Sequence, residues 1–284
     1  MDLTGFIYDY RLGYVRENTQ GGFDILGDDA AHGGRILTLG GYTTPKLAEE
    51  RSSWASLLYE RLSRSVQIYN GCTDGFTSAQ ELIMFIRDGI LLKPKILLQL
   101  SGFHDFAYKL GLLRERQHAQ LLDKHPYTTP RQIAFYEKIT SKFGLGNDRV
   151  FYGEEDDTPA WEGWLSRVES VNTLCLEFGI KHLAFLQPSA FSPGYLRTAT
   201  EDAAICESYD LTQNELTDIA PRFHEQYAKT REAALSRDYV IDLSALSDGD
   251  SGVYTDAYHL RGEHINRLVD TICKALNVKA AKAV

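Results

Sequence analysis

The sequence predicts an α/β domain with a central parallel sheet and helices on both faces. Short apolar runs alternate with longer segments of helical periodicity along most of the chain, as a parallel sheet joined by crossover helices requires. The runs are apolar throughout instead of at every second residue, which fits strands buried on both faces. The length, 284 residues with 43% hydrophobic content, is enough for one large core.

The first run, Arg35 to Leu39 (RILTL), ends at Gly40-Gly41. Thr44-Pro45 then reads as a helix start, with Thr44 as N-cap and Pro45 at the first helical position. Leu47, Trp54, Leu57, Leu58 and Leu62 follow at helical spacing. The second run is Ser65 to Tyr69, ending at Asn70-Gly71, and a helix is expected from Thr77 to about Gly89. Pro94 to Leu100 is the third run. Thr158-Pro159 caps a long helix with Trp161, Trp164, Leu165, Val168, Val171 and Phe178 on one face. The fourth run is His182 to Leu186 and the fifth Tyr239 to Leu243. A final helix from about Glu263 places Ile265, Leu268, Val269, Ile272 and Leu276 on one stripe.

One segment breaks the alternation. Residues 106–157 are rich in charge and aromatics and far longer than an ordinary connection, so they read as an inserted lid. Residues 1–34 read as an N-terminal extension of the same single domain, 1–284.

Charge and composition exclude several function classes. Thirty Lys and Arg against thirty-nine Asp and Glu leave a net charge of −9, a poor balance for gripping a phosphate backbone, so no nucleic acid is expected as partner. No apolar run approaches the roughly 18–20 residues of a membrane span. The first residues lack the charged-then-apolar layout of a signal peptide. Cys72, Cys175, Cys206 and Cys273 are widely spaced, with no CxxC pair, which suits free thiols in a reducing, cytoplasmic compartment. Neither GxGxxG nor GxxxxGK[ST] follows the first strand, and no cofactor is expected.

In sheets of this kind sites gather at the carboxyl ends of the strands. Four segments stand there or just before the last helix: Gly40-Gly41-Tyr42-Thr43-Thr44, Asn70-Gly71-Cys72-Thr73-Asp74-Gly75-Phe76-Thr77-Ser78, Gly102-Phe103-His104-Asp105, and Tyr254-Thr255-Asp256-Ala257-Tyr258-His259. In this order and on these elements they resemble the blocks of the SGNH (GDSL-type) hydrolases, from about Arg35 to Leu276 apart from the insertion.

The resemblance implies a three-layer α/β/α, flavodoxin-like fold with a five-stranded parallel sheet, and an activity on an ester or acyl group, carbohydrate esters included. It places Asp256 and His259 as the terminal D-x-x-H pair, Gly75 as the second-block glycine and Gly41 beside the nucleophile position. Two positions differ. Tyr42 stands where the family has its nucleophilic serine, and His104 where it has the asparagine that donates to the oxyanion.

Acyl transfer needs a nucleophile near a base, a third group orienting the base, and donors aimed at the developing oxyanion. On that scheme Tyr42, His259 and Asp256 are the candidate catalytic residues, and Gly75, His104 and Gly41 the candidate oxyanion and substrate-binding residues. A phenol reaches several ångströms further than a serine hydroxyl, and an acyl-tyrosine forms less readily and breaks down faster. Two readings stand open: a hydrolase with a reworked nucleophile position, or a catalytically silent protein using the pocket to bind a ligand or partner. His104, Asp105, Asp256 and His259 also form a conceivable metal set, but the resemblance gives Asp105 a structural hydrogen-bonding role, and no metal is expected.

Overall fold

The structure, a computed structural model, describes residues 6–9, 13–16, 23–27, 34–41, 53–73, 75–112 and 158–276. Tyr42, Thr43, Thr44 and most of the 106–157 segment lie outside the described residues.

Among the described residues, eight strands and seven α-helices follow in chain order: β1 (Phe6–Asp9), β2 (Gly13–Arg16), β3 (Asp24–Leu26), β4 (Arg35–Gly40), α1 (Trp54–Arg61), β5 (Gln67–Asn70), α2 (Ser78–Met84), β6 (Ile96–Ser101), α3 (Phe103–Lys109), α4 (Ala160–Glu177), β7 (Lys181–Leu186), α5 (Ala199–Tyr209), α6 (Gln213–Ala234), β8 (Val240–Asp242) and α7 (Gly262–Ala275). β1 and β2 pair as a separate antiparallel ribbon. The other six strands form one mixed sheet in the order β3-β5-β4-β6-β7-β8.

The five predicted strands are the parallel part of that sheet, with Leu37 opposite Leu97 and Leu97 opposite His182. The sixth, β3, is antiparallel to β5, so part of the N-terminal extension belongs to the central sheet. At three residues it is too short to announce itself by periodicity. β4, β6 and β7 are buried along nearly their whole length, hence their unbroken apolar runs. Successive residues point to opposite faces. Leu37, Leu39 and Leu97 pack with Leu82, Phe85, Val171 and Leu174, while Ile36, Ile68 and Leu98 belong to the cluster with Trp54, Leu58, Leu268 and Ile272.

The expected helix start at Thr44-Pro45 lies outside the described residues; within them α1 begins after Ser53, which is extended (φ −65°, ψ 149°) and whose side chain caps it by accepting from the Ser56 amide. Pro159 is the N-cap of α4, within the Thr158-Pro159 start read from the sequence. α3 runs through the expected start of the insertion at residue 106 and ends at Lys109. α2 begins as expected after Thr77 and continues through a π-turn, Phe85–Gly89, and a 3₁₀ turn, Ile90–Leu92.

From β4 the chain crosses to β5 on one side and returns to β6 on the other. The crevice outside the carboxyl ends of β4 and β6 is therefore the topological switch point, where open α/β sheets place ligands. No helix among the described residues is long and apolar enough to cross a membrane.

Candidate active site

The two strand ends at the switch point nearly touch. Gly40 has φ +140°, and a Cβ there would lie 2.0 Å from the Leu100 carbonyl oxygen, so no side chain fits. The Gly41 amide donates to that same oxygen at 3.2 Å. Gly41 is also closely approached: a Cβ on it would meet Nδ1 of His104 at 2.8 Å and Oε1 of Gln187 at 3.2 Å.

The loop after β5 is tied to β4. Thr38 Oγ1 donates to Oδ1 of Asn70 at 2.9 Å, and Oδ1 also accepts from the Cys72 amide at 3.2 Å. The Gly71 amide donates to the Thr38 carbonyl at 2.8 Å and the Thr73 amide to the Gly40 carbonyl at 3.0 Å. Gly75 follows two residues later with φ +83°.

His104 and Asp105 occupy the first turn of α3 and point to different tasks. Asp105 accepts from the Ser78 amide at 3.1 Å, from Ser78 Oγ at 2.5 Å and from Arg167 Nη1 at 2.7 Å. It locks α3 to the start of α2 and to α4, a structural employment like the one the resemblance implied. Burial pushes its pKa upward, against the pull of Arg167 and Ser78. Beside it, Glu81 is pushed up to about 8, by burial first and by the charge of Asp105 second. Gln99 Nε2 donates to Glu81 at 2.7 Å. Among the described residues no group of three or more His, Cys, Asp or Glu side chains is placed to hold a metal.

The segment before α7 is a closed loop. The Thr255 amide donates to the His259 carbonyl at 2.9 Å and the Arg261 amide to the Val253 carbonyl at 2.9 Å. Asp256 sits inside it: Oδ1 accepts from the amides of Tyr258 (3.0 Å) and His259 (2.9 Å), and Oδ2 meets His259 Nδ1 at 2.5 Å. Burial raises the Asp256 pKa, but the hydrogen bond and charge of His259 and the two amides outweigh it, and the carboxyl lies below its ordinary value. An ionised carboxylate on Nδ1 keeps the proton there and leaves the lone pair on Nε2. That nitrogen is shielded from solvent and has no hydrogen-bond partner among the described residues.

Glu201 holds this loop from outside. It accepts from the amides of Gly252 (3.2 Å) and Tyr254 (2.9 Å), from the Thr198 amide at 2.8 Å, and from the Tyr195 hydroxyl. The Tyr195 oxygen in turn accepts from the Val253 amide at 2.8 Å.

Tyr258 joins the two halves of the site. Its ring stands edge-on to His104 (centroids 4.7 Å), lies 4.0 Å from that of His259, and stacks on Phe103 at 4.8 Å. Contacts thus run from Gly41 through His104 and Tyr258 to His259 and Asp256, and Gly75 lies in the loop tied to Gly40. Gln187, Glu201 and Tyr258 were missed from sequence. Gln187 had a signal, being the first residue past a predicted strand, and Glu201 closes a T-x-x-E capping box with Thr198.

No protein-family model and no curated protein matches this sequence. Solved structures do. The chain is similar to a GDSL-like lipase from Bacteroides thetaiotaomicron, at 16% identity over 86% of this chain and 87% of that one, with a TM-score of 0.47. It is similar to an acetyl xylan esterase, at 13% identity over 85% and 99% of the two chains, with a TM-score of 0.46. A lipase/acylhydrolase from Enterococcus faecalis matches at 13% identity over 88% and 99%, with a TM-score of 0.46.

Proposed function

We propose that the chain is an SGNH-type hydrolase acting on an ester or related acyl group, with Tyr42 in place of the usual serine. The observation that carries this reading is the Asp256–His259 pair, 2.5 Å apart at the carboxyl end of the sheet, with Nε2 of His259 left without a partner among the described residues. An oriented imidazole with a free lone pair is a general base waiting for a proton donor.

In the proposed cycle Nε2 of His259 takes the Tyr42 phenol proton as the phenolate oxygen bonds to the acyl carbon. Asp256 stabilises the imidazolium that forms. The tetrahedral oxyanion receives hydrogen bonds from His104 and from the backbone amide of Gly75, while the Gly41 amide stays on the Leu100 carbonyl. Collapse breaks the ester C–O bond, and the departing alcohol takes the proton from His259. Water, deprotonated by the same nitrogen, then releases the acid and restores the phenol. A phenolate is a good leaving group, so this second half is expected to be fast. No metal or cofactor takes part in this scheme.

Turnover of short-chain p-nitrophenyl esters tests the reading. The wild-type chain should hydrolyse them, His259→Ala should lose at least about 100-fold in kcat, and a serine-directed fluorophosphonate should leave activity intact. Stoichiometric block by the fluorophosphonate would move the nucleophile to a serine such as Ser78 or Ser101. No turnover by the wild-type chain, with a ligand still bound in the crevice, would favour the silent binding protein.

A further inference from the structure

Gln187 is the first residue beyond β7, and its backbone is fixed at both ends. Its amide donates to the Ser101 carbonyl at 2.8 Å, and its carbonyl accepts from the Tyr227 hydroxyl at 3.0 Å. The side chain is fully buried, yet neither Oε1 nor Nε2 has a hydrogen-bond partner among the described residues. Oε1 lies 3.2 Å from the point where a Cβ on Gly41 would stand, beside Nδ1 of His104. The amide therefore faces the same side of Gly41 as the candidate oxyanion group.

Buried polar atoms are almost always paired, and an unpaired primary amide at this depth costs folding free energy that a leucine would not. Nε2 of His259 shares both features, burial and a missing partner. Two such groups around one crevice fit a ligand that brings the partners. The amide offers two donors and one acceptor. A plain alkyl ester has only acceptors and would leave Oε1 unpaired. A hydroxyl both donates and accepts, and so satisfies both ends.

We propose that Gln187 is a specificity-determining residue that reads a hydroxyl on the alcohol portion of the substrate, which makes the substrate class esters of polyols or sugars. The proposal rests on the hydrolase reading above, and its test separates the two.

Glycerol 1-acetate and propyl acetate differ only by two hydroxyls. The wild-type chain should favour the glycerol ester by about tenfold or more in kcat/KM, expressed mainly in KM, and Gln187→Leu should abolish the preference. Gln187→Met is a second variant in case leucine packs badly, and neither should lower Tm, since each removes unpaired polar atoms. The stable amides N-(2,3-dihydroxypropyl)acetamide and N-propylacetamide report the same discrimination by NMR titration without turnover. A hydroxyl preference that survives both variants, or a wild-type chain with none in either assay, would overturn the proposal. If neither ester is cleaved but the amide preference depends on Gln187, the hydrolase reading falls and the role of Gln187 stands.

Discussion

Asp256 holds His259 by two separate bonds, Oδ2 to the imidazole Nδ1 at 2.5 Å and Oδ1 to the backbone amide at 2.9 Å. The three-residue spacing makes this work. One carboxylate can cap the turn that carries His259 and also set the direction in which its ring points. The two functions separate under mutation, because the first needs only an oxygen and the second needs a carboxylate.

Asp256→Asn should therefore keep the fold and lose the chemistry. The Asn carbonyl can still accept from the Tyr258 and His259 amides, while its NH₂ group facing Nδ1 would force the ring proton onto Nε2. In serine-protease triads the equivalent change costs about 10⁴-fold in kcat, and a loss of roughly that order is expected here in ester turnover, with Tm nearly unmoved. An Asp256→Asn protein with wild-type kcat would remove His259 from the mechanism.

The fold was legible wherever strands are buried on both faces. Leu37, Leu97 and Leu98 are each fully buried, and no polar residue was needed to mark their edges. β3 was not legible, because its three residues are half-exposed at the sheet edge and alternate too briefly to be counted. The D-x-x-H pair was legible because its two members are local in sequence. Arg167 was not: it lies 62 residues from Asp105, on a helix read for its apolar stripe, and only tertiary packing brings the two to 2.7 Å. Gln187 was visible as a position only, since the sequence cannot show that its side-chain amide lacks a partner among the described residues.

Glu81 should make stability fall as pH rises. Its folded pKa is raised to about 8, by burial first, against an ordinary value near 4.5 in the unfolded chain. Below that ordinary value both states are protonated and the full stability is present. As pH climbs toward 8 the unfolded state ionises while the folded state does not, and stability is lost until the folded group also ionises. Glu81→Gln keeps an acceptor for Gln99 and removes the titration. Urea melts at pH 5 and pH 8.5 should show the variant gaining on wild type only at the higher pH. Equal differences at both pH values would mean that Glu81 is ionised in the folded protein throughout.

Glu201 should be intolerant even of Gln. Its two oxygens face donors on both sides, the Tyr254 amide on one and the Gly252 and Thr198 amides on the other. An amide at this position turns an NH₂ toward donors whichever way it is flipped. Glu201→Gln is expected to cost roughly 2–3 kcal/mol, read as a fall in Tm. A fall in kcat should accompany it, because the loop it releases carries Asp256 and His259. A variant with an unchanged Tm would mean that the loop closes without this clamp.

Tyr42 is decided by two substitutions. Tyr42→Phe removes one oxygen and keeps the ring. If the phenol gives its proton to Nε2 of His259, ester turnover should vanish while stability moves little, because only one oxygen is lost. A Tyr42 that merely fills a disused pocket predicts the opposite, a silent Tyr42→Phe. The second substitution is the double change Tyr42→Ser with His104→Asn, which recreates the serine and asparagine of the family blocks beside Gly75, Asp256 and His259. In a silent protein it should produce some ester hydrolysis, limited by a crevice not shaped for a shorter nucleophile, since small misplacements are costly in rate. In a tyrosine enzyme it should fall below wild type, because His104 sits against Gly41 with its Nδ1 only 2.8 Å from the place of a Cβ, where an asparagine does not reach in the same way. Full activity in Tyr42→Phe, measured on the substrate that the wild-type chain turns over best, would end the nucleophile assignment.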